Sequence, residues 1–188
     1  MSPSSRPPRT SPPLDEIALK ELGLRYVAKY QTTRFKLCHY LSRKLRERGW
    51  EGSGEPDLQA LADRFAELGY INDAAFALSR SRSLAVRGYG KHRLAQHLRN
   101  AGVGEDDSRG AFDAAEDEAL NAALRFARRR RIGPFAKQAL DERSREKAIG
   151  SMVRAGHDSR LAHKIANLEP AEEFDLINIC ESLRADRA

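Results

Sequence analysis

The side chains of this chain that could engage a partner chemically are cationic. Arg34, Lys36, Arg43 and Lys44, with Arg46 and Arg48, crowd one short segment. Arg80, Arg82, Arg87, Lys91 and Arg93 flank a Gly-Tyr-Gly turn at 88–90, and Arg125 with Arg128, Arg129, Arg130 and Arg131 forms a third group. Guanidinium and ammonium groups at this density donate charge-assisted hydrogen bonds to phosphate or carboxylate oxygens. Such contacts hold a polyanion without reading its sequence. Other chemistries lack their residues. The five histidines, His39, His92, His97, His157 and His163, form no H-E-x-x-H pair and share no zinc spacing with a cysteine. There is no Walker A motif, and the carboxylates lie in acidic surface runs without a marked pair. Nothing asks for a cofactor or a metal, and an enzyme is the class these residues support least. The cations also admit plainer roles. Arg128–Arg131 can be a solvated helix end favoured by the macrodipole, and Arg80, beside Phe76 and Ala77, can be an internal ion-pair residue.

The elements that must position these cations are helices, and glycines mark their ends. Leu61 and Phe65 precede Gly69 by eight and four positions, and Tyr70 follows it. Leu94 and Leu98 precede Gly102 in the same way, with Val103 after it. Gly49 (after Leu41 and Leu45, before Trp50) and Gly156 (after Ala148 and Met152, before His157) repeat the arrangement. This is the pattern of a Schellman turn: glycine takes the left-handed position past the last helical residue, and the next apolar side chain folds back on the last turn. Gly49 to Gly102 is 53 positions and Gly102 to Gly156 is 54. That period predicts a unit of about three helices occurring three times, although leucine four residues before glycine is common in any helical chain. Helical periods are expected throughout. Thr33, Asp57 and Asp158 serve as caps, Asn72 or Asp73 caps the fourth helix, a short helix covers about 105–114, and a longer one runs near 116–131 to Gly133-Pro134. A last helix after Pro170 carries Phe174, Ile177, Cys180 and Leu183. No alternating β-branched run is present, so the fold class expected is all-α: an elongated, curved array of three tandem three-helix repeats. The expected boundaries are 1–13 for a Pro/Ser-rich disordered tail, 14–70, 71–114 and 115–168 for the repeats, and 169–188 for a C-terminal helix.

Composition agrees with a helical protein of thin core. The 188 residues are 40% hydrophobic and 32% charged, with a net charge of +6. That net value conceals blocks: residues 17–50 carry nine Lys/Arg against two Asp/Glu, 51–79 one against six, 80–102 six against none, 103–119 one against seven, and 120–147 nine against three. Stacked in register, the basic helices would form a stripe suited to a long polyanion; alternatively, neighbouring blocks neutralise each other in space. No apolar run would span a bilayer and no signal peptide is visible. Cys38 and Cys180 are read as reduced thiols of a cytoplasmic protein rather than a disulfide.

The residues also resemble a known family. G-Y-I-N-D-A-A-F-A at Gly69–Ala77, Arg87-Gly88, and K-H-R-L-A-Q-H-L-R-N-A-G-V at Lys91–Val103 are similar to the RecX family, bacterial regulators of the recombinase RecA. L-R-Y-V-A at 24–28 and L-x3-L-x2-K-L-x3-G at Leu37–Gly49 extend the resemblance to the first unit, and K-A-I-G-S-M-V-R-A-G-H-D at 147–158 to the third. The resemblance implies a non-enzyme, an α-helical array that binds the RecA–single-stranded DNA filament and inhibits its ATPase, strand-exchange and coprotease activities. Direct binding of single- or double-stranded DNA, or a repeat scaffold for another protein, are the competing classes. A monomer is expected. Contact residues expected from charge are Arg34, Lys36, Arg43, Lys44, Arg87, Lys91, Arg93 and Arg128–Arg131. His157 departs from the family, which commonly has an aromatic residue there.

Overall fold

A computed structural model describes residues 12–171. Most of the expected tail, and the expected helix after Pro170, lie outside the described residues. Among those described there are nine α-helices and no strand: α1 Glu16–Lys29, α2 Arg34–Arg48, α3 Leu58–Glu67, α4 Asp73–Val86, α5 Lys91–Asn100, α6 Glu105–Asp117, α7 Ala119–Arg130, α8 Glu142–Arg154 and α9 Ser159–Ala166. A 3-10 turn, Gly133–Phe135, follows α7.

Side-chain caps start the helices where the sequence offers them. Asp15, Thr33, Asp57, Asp141 and Asp158 each accept a backbone N–H of the first turn, at 2.7 to 3.1 Å. Each such cap stabilises its helix by about 1 kcal/mol. Helix α6 runs past residue 114 to Asp117, because no glycine or proline interrupts Ala111–Ala119. A single residue, Glu118, separates it from α7, which therefore starts later than the expected 116.

The chain divides into two compact units, Met1–Asp73 and Ala74–Ala188. In the first, α1–α3 enclose a core of Leu14, Leu19, Leu37, Leu41, Ala62, Phe65 and Ile71. Gly23 lets α1 approach closely; a Cβ there would lie 3.0 Å from the Phe65 ring. Cys38 packs beside this core and its thiol lies 3.3 Å from the Leu58 carbonyl oxygen. Burial, and then the charge of Asp63, push that thiol up, which makes it an unreactive packing residue. The second unit has two cores. One joins Phe76, Ala77 and Leu84 of α4 to Leu94 and Leu98 of α5 and Ala111 of α6. The other is built on Ala123, Phe126 and Ala127 of α7, Met152 of α8, and Ala162 and Ile165 of α9. Tyr89 packs against both. The helices thus fall in chain order into three consecutive sets of three, each around its own core.

Three of the four expected helix endings are Schellman turns. At Gly69, Gly102 and Gly156, with φ of 78°, 67° and 93°, the next residue's N–H reaches back to the carbonyl of Phe65, Leu98 and Met152. Gly49 differs. Its φ is 83° but its ψ is 173°, so the chain leaves α2 extended rather than left-handed. The cause is long-range: Leu14 donates to the Gly49 carbonyl at 3.0 Å and accepts from Glu51 at 2.9 Å, in an isolated parallel bridge. Two further turns of the same type close α4 at Gly88 and α7 at Arg131. Arg131 is the one non-glycine residue at positive φ among those described, at 56°.

Candidate nucleic-acid interface

The second unit brings three of its basic segments together, and backbone geometry does the positioning. Helix α4 ends at Gly88 with the Tyr89 N–H on the Leu84 carbonyl at 2.9 Å. A Cβ on Gly88 would sit 2.9 Å from the Phe126 nitrogen, so this turn lies directly against α7. Helix α5 then begins at Lys91, after an N-cap, Gly90, that has no side chain to cap it. The carbonyls of the turn that closes α8 take that role: Gly90 N–H donates to Ala155 at 3.0 Å and His92 N–H to Gly156 at 3.1 Å. The negative end of one helix dipole thus meets the positive end of another. The approach requires glycine on both sides. A Cβ at Gly90 would lie 2.2 Å from the Gly156 oxygen, and one at Gly156 2.4 Å from the Arg93 nitrogen.

His157 seals this joint. Only 3% of it is exposed, its Nε2 lies 3.1 Å from the Gly88 carbonyl oxygen, and its ring stands edge-on to Phe126 at 5.5 Å. Donation from Nε2 fixes the neutral tautomer with Nδ1 unprotonated. Burial pushes its pKa below the ordinary range, opposed in part by the Gly88 hydrogen bond. The histidine thus packs as the aromatic residue would.

Around the joint, arginines are stacked on rings and tied to helix ends. The guanidinium groups of Arg87 and Arg93 lie 5.2 and 5.9 Å from the centre of the Tyr89 ring. Arg129 and Arg130 lie 5.4 and 6.0 Å from that of Phe126, and Arg128 lies 5.3 Å from that of Phe135. Arg129 donates to the Arg87 carbonyl at 2.6 Å, and Arg125 to the Ala85 carbonyl at 3.3 Å. These carbonyls lie at the negative end of α4, where cations are stabilising, and Ala85 also accepts the Gly88 N–H at 2.9 Å. Helix α7 is therefore docked through its own arginines, Arg129 resting on the backbone carbonyl of Arg87.

The expected contact residues divide accordingly. Arg87, Arg93, Arg129 and Arg130 gather around Tyr89 and Phe126. Arg87 belongs to the turn after α4 and not to α5, because Gly88 and Gly90 delay the start of α5 to Lys91. Lys91 pairs with Glu116 of α6 at 2.6 Å. Arg131 occupies the left-handed turn position. In the first unit, Arg34 is partly exposed but engaged: its N–H and Nε both donate to Asp73 at 3.1 Å, and its Nη1 lies 3.8 Å from Asp63. The Asp73 side chain is 3% exposed and needs that partner. Lys36 is half-buried in the first turn of α2, and Arg43 and Lys44 share Glu47. Arg80 stacks on Phe76 at 5.3 Å. Sequence reasoning passed over the rings: Tyr89 was read only as part of a turn, although an arginine two residues before it and another four after it were the available signal.

Among the described residues no three His, Cys, Asp or Glu side chains converge as a metal site, and no helix is long and apolar enough to cross a membrane. Residues 72–111 match the family model described as RecX, second three-helix domain. The chain is 29% identical to the regulatory protein RecX of Myxococcus xanthus (strain DK1622) over 174 residues, covering 88% of this chain and 91% of the relative. It is 31% identical to that of Thermobifida fusca (strain YX) over 153 residues, 80% of this chain and 77% of the relative. The fold is similar to the crystal structure of RecX from Lactobacillus salivarius, with a TM-score of 0.56 at 18% identity over 78% of this chain and 91% of that one.

Proposed function

The chain belongs to the RecX family of regulatory proteins, and on that premise we propose that it regulates homologous recombination and the SOS response by binding the RecA–single-stranded DNA filament. Bound there, it inhibits the filament's ATPase, strand-exchange and coprotease activities. The observation that carries this reading is the arginine cluster of the second unit, Arg87, Arg93, Arg129 and Arg130 on Tyr89 and Phe126. A nucleoprotein filament exposes phosphates of DNA and carboxylates of protein. Guanidinium groups already oriented by rings and helix ends meet either with little further loss of side-chain freedom. Three helix sets following one another in a monomer, over 14–70, 71–114 and 115–168, would suit a filament groove in the cytoplasm without a cofactor.

The test is RecA's DNA-dependent ATPase titrated with this protein. A saturable fall in rate at fixed DNA is expected. An unchanged rate at a large excess of protein sinks the reading. A second reading, direct binding to DNA with RecA incidental, is favoured by the arginine-flanked Tyr89, since cations beside an aromatic ring suit single strands. Equal affinity for bare single-stranded DNA and for the filament would select it.

A further inference from the structure

The first unit carries a row of aromatic rings that the cluster on the second unit leaves unexplained. Tyr26 of α1 and Tyr40 of α2 stack with centroids 4.2 Å apart and planes 14° from parallel. Tyr30, one turn beyond Tyr26, lies 5.3 Å from it. Lys29 places its Nζ 5.3 Å from the Tyr30 ring centre, and Arg43 its guanidinium 5.7 Å from that of Tyr40. The order in space is cation, ring, ring, ring, cation. Tyr30, at the end of α1, is 49% exposed. Phe35, in the first turn of α2 with His39 stacked on it, is 53% exposed. Core packing does not require either ring at the surface; Leu37 and Leu41 fill the interior side of α2.

What would cover these rings follows from the charge. Residues 17–50 hold nine Lys/Arg against two Asp/Glu. Both acids are already met by cations on their own helices, Glu21 by Arg25, and Glu47 by Arg43 and Lys44. These exposed pairs are weak and yield readily to a stronger anion. The complementary ligand presents flat, π-bearing faces with negative charge between them. Single-stranded nucleic acid does so at every nucleotide, whereas a duplex hides its base faces and an acidic peptide lacks the regular rings.

We propose that the α1–α2 corner of the first unit, where Tyr30 follows α1 and Phe35 opens α2, is a base-stacking platform for single-stranded nucleic acid. Tyr30 and Phe35 take base faces, and Lys29 and Arg43 take the flanking phosphates. The proposal rests on the nucleic-acid side of the function above and adds a second contact surface, working by stacking rather than by charge alone.

The full chain is titrated by fluorescence anisotropy against an oligothymidylate and against an abasic strand of equal length, which keeps the phosphates and removes the bases. The parent should prefer the oligothymidylate. The double variant Tyr30→Leu/Phe35→Leu should lose about fivefold or more of that preference per base no longer stacked, with affinity for the abasic strand unchanged. Tyr30→Trp, which retains a ring, should keep or increase the preference, and this guards against a folding defect in the double variant. Equal binding of both strands by the parent overturns the proposal. So does an undiminished preference in the double variant at unchanged helicity. A double variant that keeps its base preference but no longer binds RecA in the absence of DNA makes this face a protein contact, which also overturns it. A parent that shows the base preference yet leaves RecA's ATPase unaffected supports the platform and removes only the filament reading.

Discussion

His157 directs its Nε2 at the carbonyl oxygen of Gly88, 3.1 Å away and 69 residues earlier in the chain. The ring is buried against Phe126 of α7, and nothing in this contact requires a charge on it. Its pKa in the folded chain is lowered, chiefly by burial. The unfolded chain therefore binds the proton more readily than the folded one. The stabilisation is complete above the ordinary value of 6.5 and is lost as pH falls from there through the lowered folded value. Thermal melts should show this acid loss, and His157→Phe, which keeps a ring without a proton site, should reduce it. Identical pH profiles for parent and variant would show that His157 does not set the acid limit.

The joint between Gly90 and Gly156 should tolerate no side chain. Gly156→Ala combines positive φ with a backbone contact at 2.4 Å, and Gly90→Ala meets the Gly156 oxygen at 2.2 Å. The first should cost at least about 3 kcal/mol and the second a similar amount through forced backbone shifts. Gly110→Ala, in open space in the middle of α6, should instead stabilise by about 0.5–1 kcal/mol. Denaturant unfolding of the three variants checks both signs.

Arg131 holds a left-handed conformation in which glycine is usual. Arg131→Gly should raise stability by about 1 kcal/mol, the strain relieved exceeding the entropy added to the unfolded chain. A lower melting temperature would mean that the Arg131 side chain stabilises the fold by more than its backbone strain.

Arg87 and Arg93 are the cations to neutralise in a binding assay, since Lys91 is engaged with Glu116. Arg87→Gln/Arg93→Gln should weaken filament binding with helicity intact. For contacts to single-stranded phosphates, the salt slope should flatten by about 0.7 for each contact removed. Contacts to carboxylates would weaken binding without that change, and unaltered affinity would mean that the cluster serves only to dock α7 on α4.

Arg34 should behave differently from those two. Arg34→Ala leaves the nearly buried Asp73 without its charged donor, and should destabilise the first unit by about 1–3 kcal/mol. An unchanged melting temperature would return Arg34 to the candidate contact residues.

Much of this fold is legible in residue order because its punctuation is local. A Schellman turn needs only glycine with apolar residues four before and one after, so Gly69, Gly102 and Gly156 could be recognised from their neighbours. Gly88 meets the same two conditions through Leu84 and Tyr89, yet inside Gly-Tyr-Gly it reads simply as a turn between two helices. Arg131 escaped because no glycine marks it. Gly49 matched the pattern and still adopted another geometry, since Leu14 claims its carbonyl from 35 positions away. The same divide runs through the candidate site. Arg34 and Arg87 look equivalent as cations near helix starts. Only a carboxylate 39 residues further on engages the first, and only the fold sets Arg129 on the backbone carbonyl of the second.

The capping of α5 by the turn that closes α8 bears on how such a chain can be cut or lengthened. A fragment ending before α8 would leave the Gly90 and His92 amides to water, so the first turn of α5 should fray there and exchange its amide hydrogens early. The segment 72–111, although it corresponds to a recognised domain, borrows part of its secondary structure from its successor. A helix set added at this joint would need a glycine where Gly90 stands, since a Cβ there meets the Gly156 oxygen at 2.2 Å.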